Sequence, residues 1–153
     1  MFKFDLQFHS AQSPIGTQFK LGDSSLPETF AAIGGLKSIS GIGASRDPID
    51  ISTLETNGWD QIMPGIKKSK QITLEVNFDT DDATHDWDTG LISNFNDNVK
   101  ANAQLVFPNG VIFSFEVYVV DFEINGFEVD GIISGTFIVK PTGIMSFNTG
   151  SGS

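Results

Sequence analysis

The residues in this chain that most suggest chemistry are carboxylates that follow a predicted strand near the middle of the sequence. Hard cations such as Ca²⁺ prefer several oxygen ligands, so a cluster of this kind could form a cation-binding loop. An EF-hand needs glycine at its sixth position and glutamate at its twelfth, and counted from Asp79 those positions are Thr84 and Gly90. The spacing therefore favours capping and a solvated acidic face over a cation site. The cluster comprises Asp79, Asp81, Asp82, His85, Asp86 and Asp88.

Other patterns that could support catalysis are weak. His9 and His85 are the only histidines, lie far apart, and belong to no nucleophile or zinc motif. We interpret each as a surface or packing residue. The segments 34–35 and 41–44 lack the glycine spacing of a phosphate-binding loop, so their glycines are interpreted as turn residues. No pattern places two carboxylates across a cleft. We predict no enzymatic activity, cofactor or metal.

Composition limits the class of protein. The 153 residues include no cysteine and are 39% hydrophobic, which predicts one domain stabilised by packing without disulfides. Nine Lys and Arg against 19 Asp and Glu give a net charge of −10, which disfavours binding to nucleic acid or anionic lipid. The N-terminus does not resemble a signal peptide, and no later stretch resembles a membrane span, so we predict no membrane anchor.

Period-2 alternation predicts most of the secondary structure. It is most regular over 71–78, where apolar side chains share one face and Glu75 lies on the other. Pro108-Asn109-Gly110 predicts a tight hairpin, because Asn-Gly supplies the positive φ angles of such turns. The resulting fold class is mainly β, a β-sandwich or partly closed barrel of about seven or eight strands with one flanking α-helix. Other predicted strands are 1–14, 19–21, 36–42, 103–107, 111–122 and 132–140.

Helical spacing is confined to one region. Trp87, Leu91 and Phe95 lie four residues apart and predict a helix that begins near Asp81 or Asp82 and ends at 96–98. A shorter helical turn is predicted from Pro27 through residue 32.

The segment between the strands 36–42 and 71–78 is long, irregular in pattern and rich in glycine and proline, yet it carries large apolar residues. Loops of this length are usually functional or disordered, and the apolar content argues against disorder. We therefore interpret it as a binding arm. The alternative is that Trp59, Ile62 and Met63 fill the core of their own chain.

Several ordered motifs together resemble a known family. In order they are GGLKSISG, IDISTL, GW, PGIK, LEVNFD, DDATH, a short helix, FPNG and FSFEVYV. The chain resembles the major tail tube proteins of long-tailed, non-contractile phages, the lambda-like branch above all, over about residues 17–147. Two departures are that the segment 1–14 looks longer than the usual start and that no immunoglobulin-like appendage is expected after residue 147.

This resemblance implies a β-sandwich, residues 15–147, that assembles into hexameric rings stacked as a tail tube, with a flexible tail at 148–153. The segment 43–68 would be an assembly loop that contacts the next ring, and the segment 1–14 an arm that contacts neighbours. The residues implied for the loop are Arg46, Ile49, Ile51, Leu54, Trp59, Ile62, Met63 and Pro64, and those for the arm are Phe2, Phe4, Leu6 and Phe8.

The implied partners are further copies of the chain and the tape measure, tail terminator and distal tail proteins. The implied location is the virion tail, after assembly in the host cytoplasm. Genome DNA would pass through without specific binding, and Glu75 and Glu116 would line the acidic lumen; alternatively, both only keep the subunit soluble. The alternative function is a β-sandwich binding module, either a secretion-tube-like ring protein or a carbohydrate-binding domain.

Overall fold

The structure is a computed structural model that describes residues 13–23 and 26–148. The predicted strand at 1–14, with Phe2, Phe4, Leu6 and Phe8, lies almost entirely outside these residues, as do residues 149–153 of the predicted tail. The mainly β prediction is confirmed, with nine strands and one short helix in the described part. The elements are β1 Gln18–Gly22, β2 Phe30–Ala32, β3 Leu36–Ser40, β4 Ala44–Asp50, β5 Ile62–Ser69, β6 Ile72–Asn77, α1 Leu91–Asn96, β7 Ala101–Val106, β8 Ile112–Asn125 and β9 Ser134–Asn148.

Seven strands form one antiparallel sheet in the order β2-β1-β7-β8-β9-β6-β3, while β4 and β5 pair separately. The sheet folds over, because Leu36 and Ile39 of β3 line the same 450 Å³ cavity as Leu105 of β7, although three strands separate β3 from β7 in the sheet. Within the described residues the edge strands β2 and β3 do not pair with each other, so the sheet is not a closed barrel.

Side chains on the inner face of the folded sheet form a single core. The strand predicted over 71–78 is confirmed as β6, whose Ile72, Leu74 and Val76 are buried while Glu75 is exposed. The predicted hairpin is also confirmed, since the Phe107 amide donates to the Val111 carbonyl at 2.8 Å. Core residues from the other elements include Phe19, Leu91, Ile92, Ala103, Leu105, Phe115, Val117, Phe137 and Val139.

Strands β8 and β9 are longer than the alternation predicts. The predicted ends at residues 122 and 140 are wrong, because β8 continues to Asn125 and β9 to Asn148. The pairing between them shifts register twice. Each bulge interrupts the alternation of inward and outward side chains while the strand itself continues. Pro141 stays in the strand opposite Val117, and Gly143 takes a φ of +75° within the larger irregularity.

The predicted long helix is wrong for its first half. Only Leu91–Asn96 are helical, and residues 79–90, here called the acidic loop, form successive turns. Asp79, Asp82 and Asp86 each accept a hydrogen bond from an amide two or three residues later, at 2.8–2.9 Å, which competes with helix formation. Trp87 is 67% exposed instead of facing the core.

Among the described residues, no helix has the length and apolarity needed to cross a membrane.

The predicted helical turn after Pro27 is also wrong. The end of that segment is β2, in which Phe30 and Ala32 pair with β1. Sheet pairing therefore overrides the local preference of proline for the first turn of a helix.

His85 fastens the acidic loop to the sheet. Its ring is fully buried and stacks on Phe78 with 5.7 Å between centroids. The Asp79 amide donates to Nδ1 at 3.2 Å, so Nε2 carries the hydrogen that is donated to the Gly34 carbonyl at 2.6 Å. Of the two interpretations left open for this histidine, packing is correct.

Replacing His85 should destabilise the fold. We expect His85→Ala to lower the free energy of unfolding by about 2–4 kcal/mol, because it opens a cavity and leaves the Asp79 amide and Gly34 carbonyl without partners. Urea denaturation measures the change. The matched control is Trp87→Ala in the same loop, which should change the free energy by less than about 0.5 kcal/mol because this side chain is exposed. Equal effects of the two substitutions would contradict the packing role.

The acidic loop should also make stability depend on pH. Asp82 accepts hydrogen bonds from the Thr84 hydroxyl at 2.6 Å and amide at 2.8 Å, and the hydroxyl contributes most to lowering the pKa of Asp82 below its ordinary value of 3.8. A carboxylate whose pKa is lower in the folded state stabilises the fold above its unfolded pKa and loses that contribution as the pH falls through the folded pKa.

We therefore expect wild type to be more stable than Asp82→Asn at about pH 6, and this difference to shrink as the pH falls below 3.8. Urea denaturation of both proteins across that pH range measures it. A difference that stays constant with pH would show that the ionised carboxylate is not responsible.

Candidate functional site

The assembly loop predicted over 43–68 is a β-ribbon rather than an irregular excursion. Strands β4 and β5 pair antiparallel from Ala44↔Ser69 to Asp50↔Ile62, and this two-stranded unit, residues 44–69, is here called the ribbon. The period-2 alternation of a strand is not visible in its sequence, because a bulge lies between the pairs Arg46↔Lys67 and Pro48↔Pro64. Gly65 sits at that bulge, where an added Cβ would lie 2.5 Å from the Asp47 carbonyl oxygen.

Hydrogen bonds also order the end of the ribbon. The Gln61 amide donates to the Ser52 hydroxyl at 2.6 Å, and the Ile51 amide donates to the Gln61 carbonyl at 2.9 Å. The Asp50 carboxylate accepts from the Ser52 amide at 2.8 Å. Apolar side chains are therefore held on a defined backbone rather than on a random coil.

The ribbon projects from the sheet, since every residue of β4 and nearly all of β5 are exposed. Trp59 is 78% exposed, and Ile62 and Met63 are also exposed, so these residues do not fill the core of their own chain. An ordered segment with this many exposed large apolar side chains is typical of an interaction region. Ile49, Ile51, Leu54 and Ile66 are further exposed apolar residues of the ribbon.

The residue types of the ribbon favour contacts with a partner through side chains rather than through the backbone of its strand edges. Pro48 and Pro64 lie opposite each other, and because proline lacks an N–H, each weakens its strand edge as a template for another strand. Asp47 pairs with Lys68 at 2.6 Å. Arg46 and Lys67 face each other as like charges, and neither forms an ion pair with a residue that the structure describes.

Glu75 and Glu116, the two predicted lumen residues, lie on the outer face of the same sheet. Glu75 is exposed on β6 and accepts a hydrogen bond from the Ser38 hydroxyl at 3.2 Å. Glu116 is half-buried on β8, and its carboxylate lies 3.3 Å from the Lys100 ammonium group. Strand β9 separates the two strands, so both carboxylates belong to one polar surface.

Two further acids on this face were missed by sequence reasoning. Glu123 lies opposite Thr136 on β9, which in turn lies opposite Glu75 on β6. Asp121 lies opposite Ile138 on the same face. Phe122 and Ile124 alternate with these acids in the sequence, but this alternation begins after the bulge at residue 120, and the predicted strand ends at residue 122.

Three of the five carboxylates of the acidic loop, those of Asp79, Asp82 and Asp86, accept hydrogen bonds within its turns. Asp86 accepts bonds from the Thr89 amide at 2.8 Å and from the Thr89 hydroxyl and Gly90 amide at 3.0 and 3.1 Å. The bond from the Thr89 amide is the main reason that the pKa of Asp86 lies below its ordinary value. In the part of the chain that the structure describes, no three His, Cys, Asp or Glu side chains are arranged to hold a metal ion.

Comparison with known proteins places the chain in a family. The family model described as "Phage tail tube, TTP, lambda-like" matches residues 16–150. No curated protein sequence matches.

Solved structures share the fold. A chain from the virion of a native gene transfer agent has a TM-score of 0.71 and 22% identity, covering 90% of this chain and 99% of that chain. A chain of the SPP1 tail tube has a TM-score of 0.68 and 9% identity, covering 90% and 79%. A chain of the anti-feeding prophage tube-terminating cap has a TM-score of 0.67 and 12% identity, covering 96% and 95%.

The family match spans nearly the whole described sheet together with the ribbon, the acidic loop and the polar outer face. The chain therefore belongs to the lambda-like phage tail tube family and is a structural protein of the virion tail.

Proposed function

We propose that copies of this chain form six-membered rings that stack into the tube of a phage tail, and that the role is structural rather than enzymatic. The observation that carries the proposal is the ribbon, an ordered projection whose apolar side chains have no partner surface within the described chain. The six-fold symmetry is taken from the gene transfer agent tail, described with C6 symmetry, whose chain has a TM-score of 0.72 and 22% identity.

In the proposed tube, the ribbon of one subunit contacts a different surface on the neighbouring subunit. A contact between two unlike surfaces, repeated from copy to copy, produces an open filament rather than a closed dimer. Burial of Trp59, Leu54 and Ile62 against the next ring would remove apolar surface from water at every step. The segment 1–14, with Phe2, Phe4, Leu6 and Phe8, is proposed to add contacts with neighbouring subunits.

Other tail proteins would meet the ends and the interior of the tube. Similar folds occur in the anti-feeding prophage cap and baseplate structures. We assign the two ends of the tube to the tail terminator and distal tail proteins, and its interior to the tape measure during assembly in the host cytoplasm.

The polar outer face of the sheet is the proposed lining of the lumen. It carries the carboxylates of Glu75, Glu116, Asp121 and Glu123, whereas the opposite face is committed to the core. Carboxylates repel DNA phosphates, and within a narrow tube many charges lie inside one Debye length of about 8–10 Å from the duplex. DNA would therefore slide through without binding tightly.

Substitution at the end of the ribbon should separate folding from assembly. We expect Trp59→Ala to unfold at the same urea concentration as wild type, because the side chain is 78% exposed, but to form no tubes in electron micrographs. Loss of a buried aromatic anchor typically costs an interface about 2–4 kcal/mol. The matched variant Trp59→Phe keeps an aromatic surface and should still form tubes. Tubes of normal length from Trp59→Ala would contradict the role of the ribbon.

Reversing charge on the proposed lumen should slow DNA ejection. With Glu75→Lys and Glu116→Lys in assembled phage, we expect the ejection rate to fall at least about tenfold in dilute salt and to recover at high salt, because added lysines attract phosphate and salt screens that attraction. Fluorescence of a DNA-binding dye during triggered ejection measures the rate. The neutral pair Glu75→Gln and Glu116→Gln controls for loss of the native side chains. An unchanged rate in the reversed phage would contradict the lumen assignment.

A further inference from the structure

The ribbon and a second apolar projection lie at opposite ends of the subunit. The base of the ribbon continues from β3 and into β6, since the Lys70 amide donates to the Gly43 carbonyl at 3.0 Å. The other end of β6 meets the connection between β8 and β9, where the Phe78 amide donates to the Ile133 carbonyl at 3.0 Å. The six residues of β6 separate these two ends by roughly 17 Å.

The connection between β8 and β9, residues 126–133, is here called the β8–β9 loop. It has a defined backbone, because Glu128 and Gly131 amides donate to the Gly126 and Glu128 carbonyls at 2.8 and 3.0 Å. Gly126 has a φ of +93°. This backbone presents Phe127, 73% exposed, together with exposed Val129 and Ile132. Packing within the described chain does not account for three large apolar side chains on one short turn.

The end that carries the β8–β9 loop is acidic. Glu128 and Asp130 alternate with the exposed apolar residues of the loop, and neither forms an ion pair with a described residue. The acidic loop lies beside it, because Phe78 contacts both the Ile133 carbonyl and the His85 ring. Residues 71–99 and 126–133 contain no lysine or arginine.

The end that carries the base of the ribbon is basic. Arg46 and Lys67 lie directly opposite each other, and like charges in such a pair destabilise a β-ribbon. Lys70 follows at the end of β5. A carboxylate from outside the subunit would offset this repulsion, and the Asp47–Lys68 pair leaves Arg46 and Lys67 available for it.

We infer that the β8–β9 loop of one copy docks against the base of the ribbon of the next copy, with Glu128 and Asp130 meeting Arg46 and Lys67. The occupant of this apolar and acidic surface is therefore a second copy of the chain. The inference rests on the proposed stacking and names the surface that meets the base of the ribbon. In this arrangement the acidic end of one subunit faces the basic end of the next. The tip of the ribbon then extends past the docking contact and lies along the neighbouring subunit.

Charge exchange between the two surfaces tests this contact in the full-length protein. Glu128→Lys with Asp130→Lys reverses the loop, and Arg46→Glu with Lys67→Glu reverses the base of the ribbon while keeping two like charges opposite each other. We expect each reversal alone to raise the critical concentration for tube formation at least about tenfold, and all four substitutions together to restore it to within about threefold of wild type. Sedimentation and electron microscopy measure tube formation.

The controls separate this contact from net charge and from the proposed function. The fourfold variant keeps the wild-type net charge of −10, so its recovery cannot be a net-charge effect. Asp97→Lys changes an exposed acid after α1 and should leave tube formation unchanged. Failure of wild type to form tubes would overturn the proposed function itself. Normal tubes from the reversed loop, loss of tubes in Asp97→Lys, or no recovery in a folded fourfold variant would overturn the docking contact alone.

Discussion

The pairing of β9 is the constraint on which the rest of the structure depends. Residues 134–148 pair with β8 on one side, and the first half of the same strand pairs with β6 on the other. Because every second side chain points inward, this one register buries Phe137 and Val139 and turns Thr136 and Ile138 outward. A slip by one residue would exchange the two faces and expose the core. The register therefore decides both the stability of the subunit and the position of its polar surface.

The same pairing places two exposed apolar segments, the ribbon and the β8–β9 loop, at opposite ends of the subunit. Strand β6 leaves the ribbon at one end and meets the β8–β9 loop at the other, so two exposed apolar projections are held apart by a rigid strand. Unlike surfaces at opposite ends are what an open, repeating contact requires. His85 adds to this rigidity, because its two hydrogen bonds fasten the acidic loop to the turn between β2 and β3.

Two sets of acidic residues differ in their surroundings: those of the acidic loop and those on the outer face of the sheet. In the acidic loop, Asp79, Asp82 and Asp86 accept hydrogen bonds within turns, as the Asp82–Thr84 and Asp86–Thr89 bonds illustrate. The carboxylates of the outer sheet face lie on the paired strands β6 and β8 around β9, with Glu116 beside Lys100. In the proposed tube, Glu128 and Asp130 beside the first set would orient stacking, and the second set would repel DNA. The net charge of −10 would thus serve two surfaces rather than a general need for solubility.

The amino-acid sequence by itself determined the fold class, the strand β6, the tight hairpin at residues 108–110 and the family, because alternation, turn chemistry and ordered motifs are local in the chain. Tertiary structure decided what depends on distant partners. Strands β8 and β9 continue past bulges beyond their predicted ends, and side-chain bonds to the backbone replace half of the predicted helix. Antiparallel pairing around a bulge at Gly65 forms a ribbon from a segment whose sequence looks irregular. The acids Asp121 and Glu123 joined Glu75 on one surface only through cross-strand pairing. Register and bulges are set by the partner strand, and no single segment of sequence contains that information.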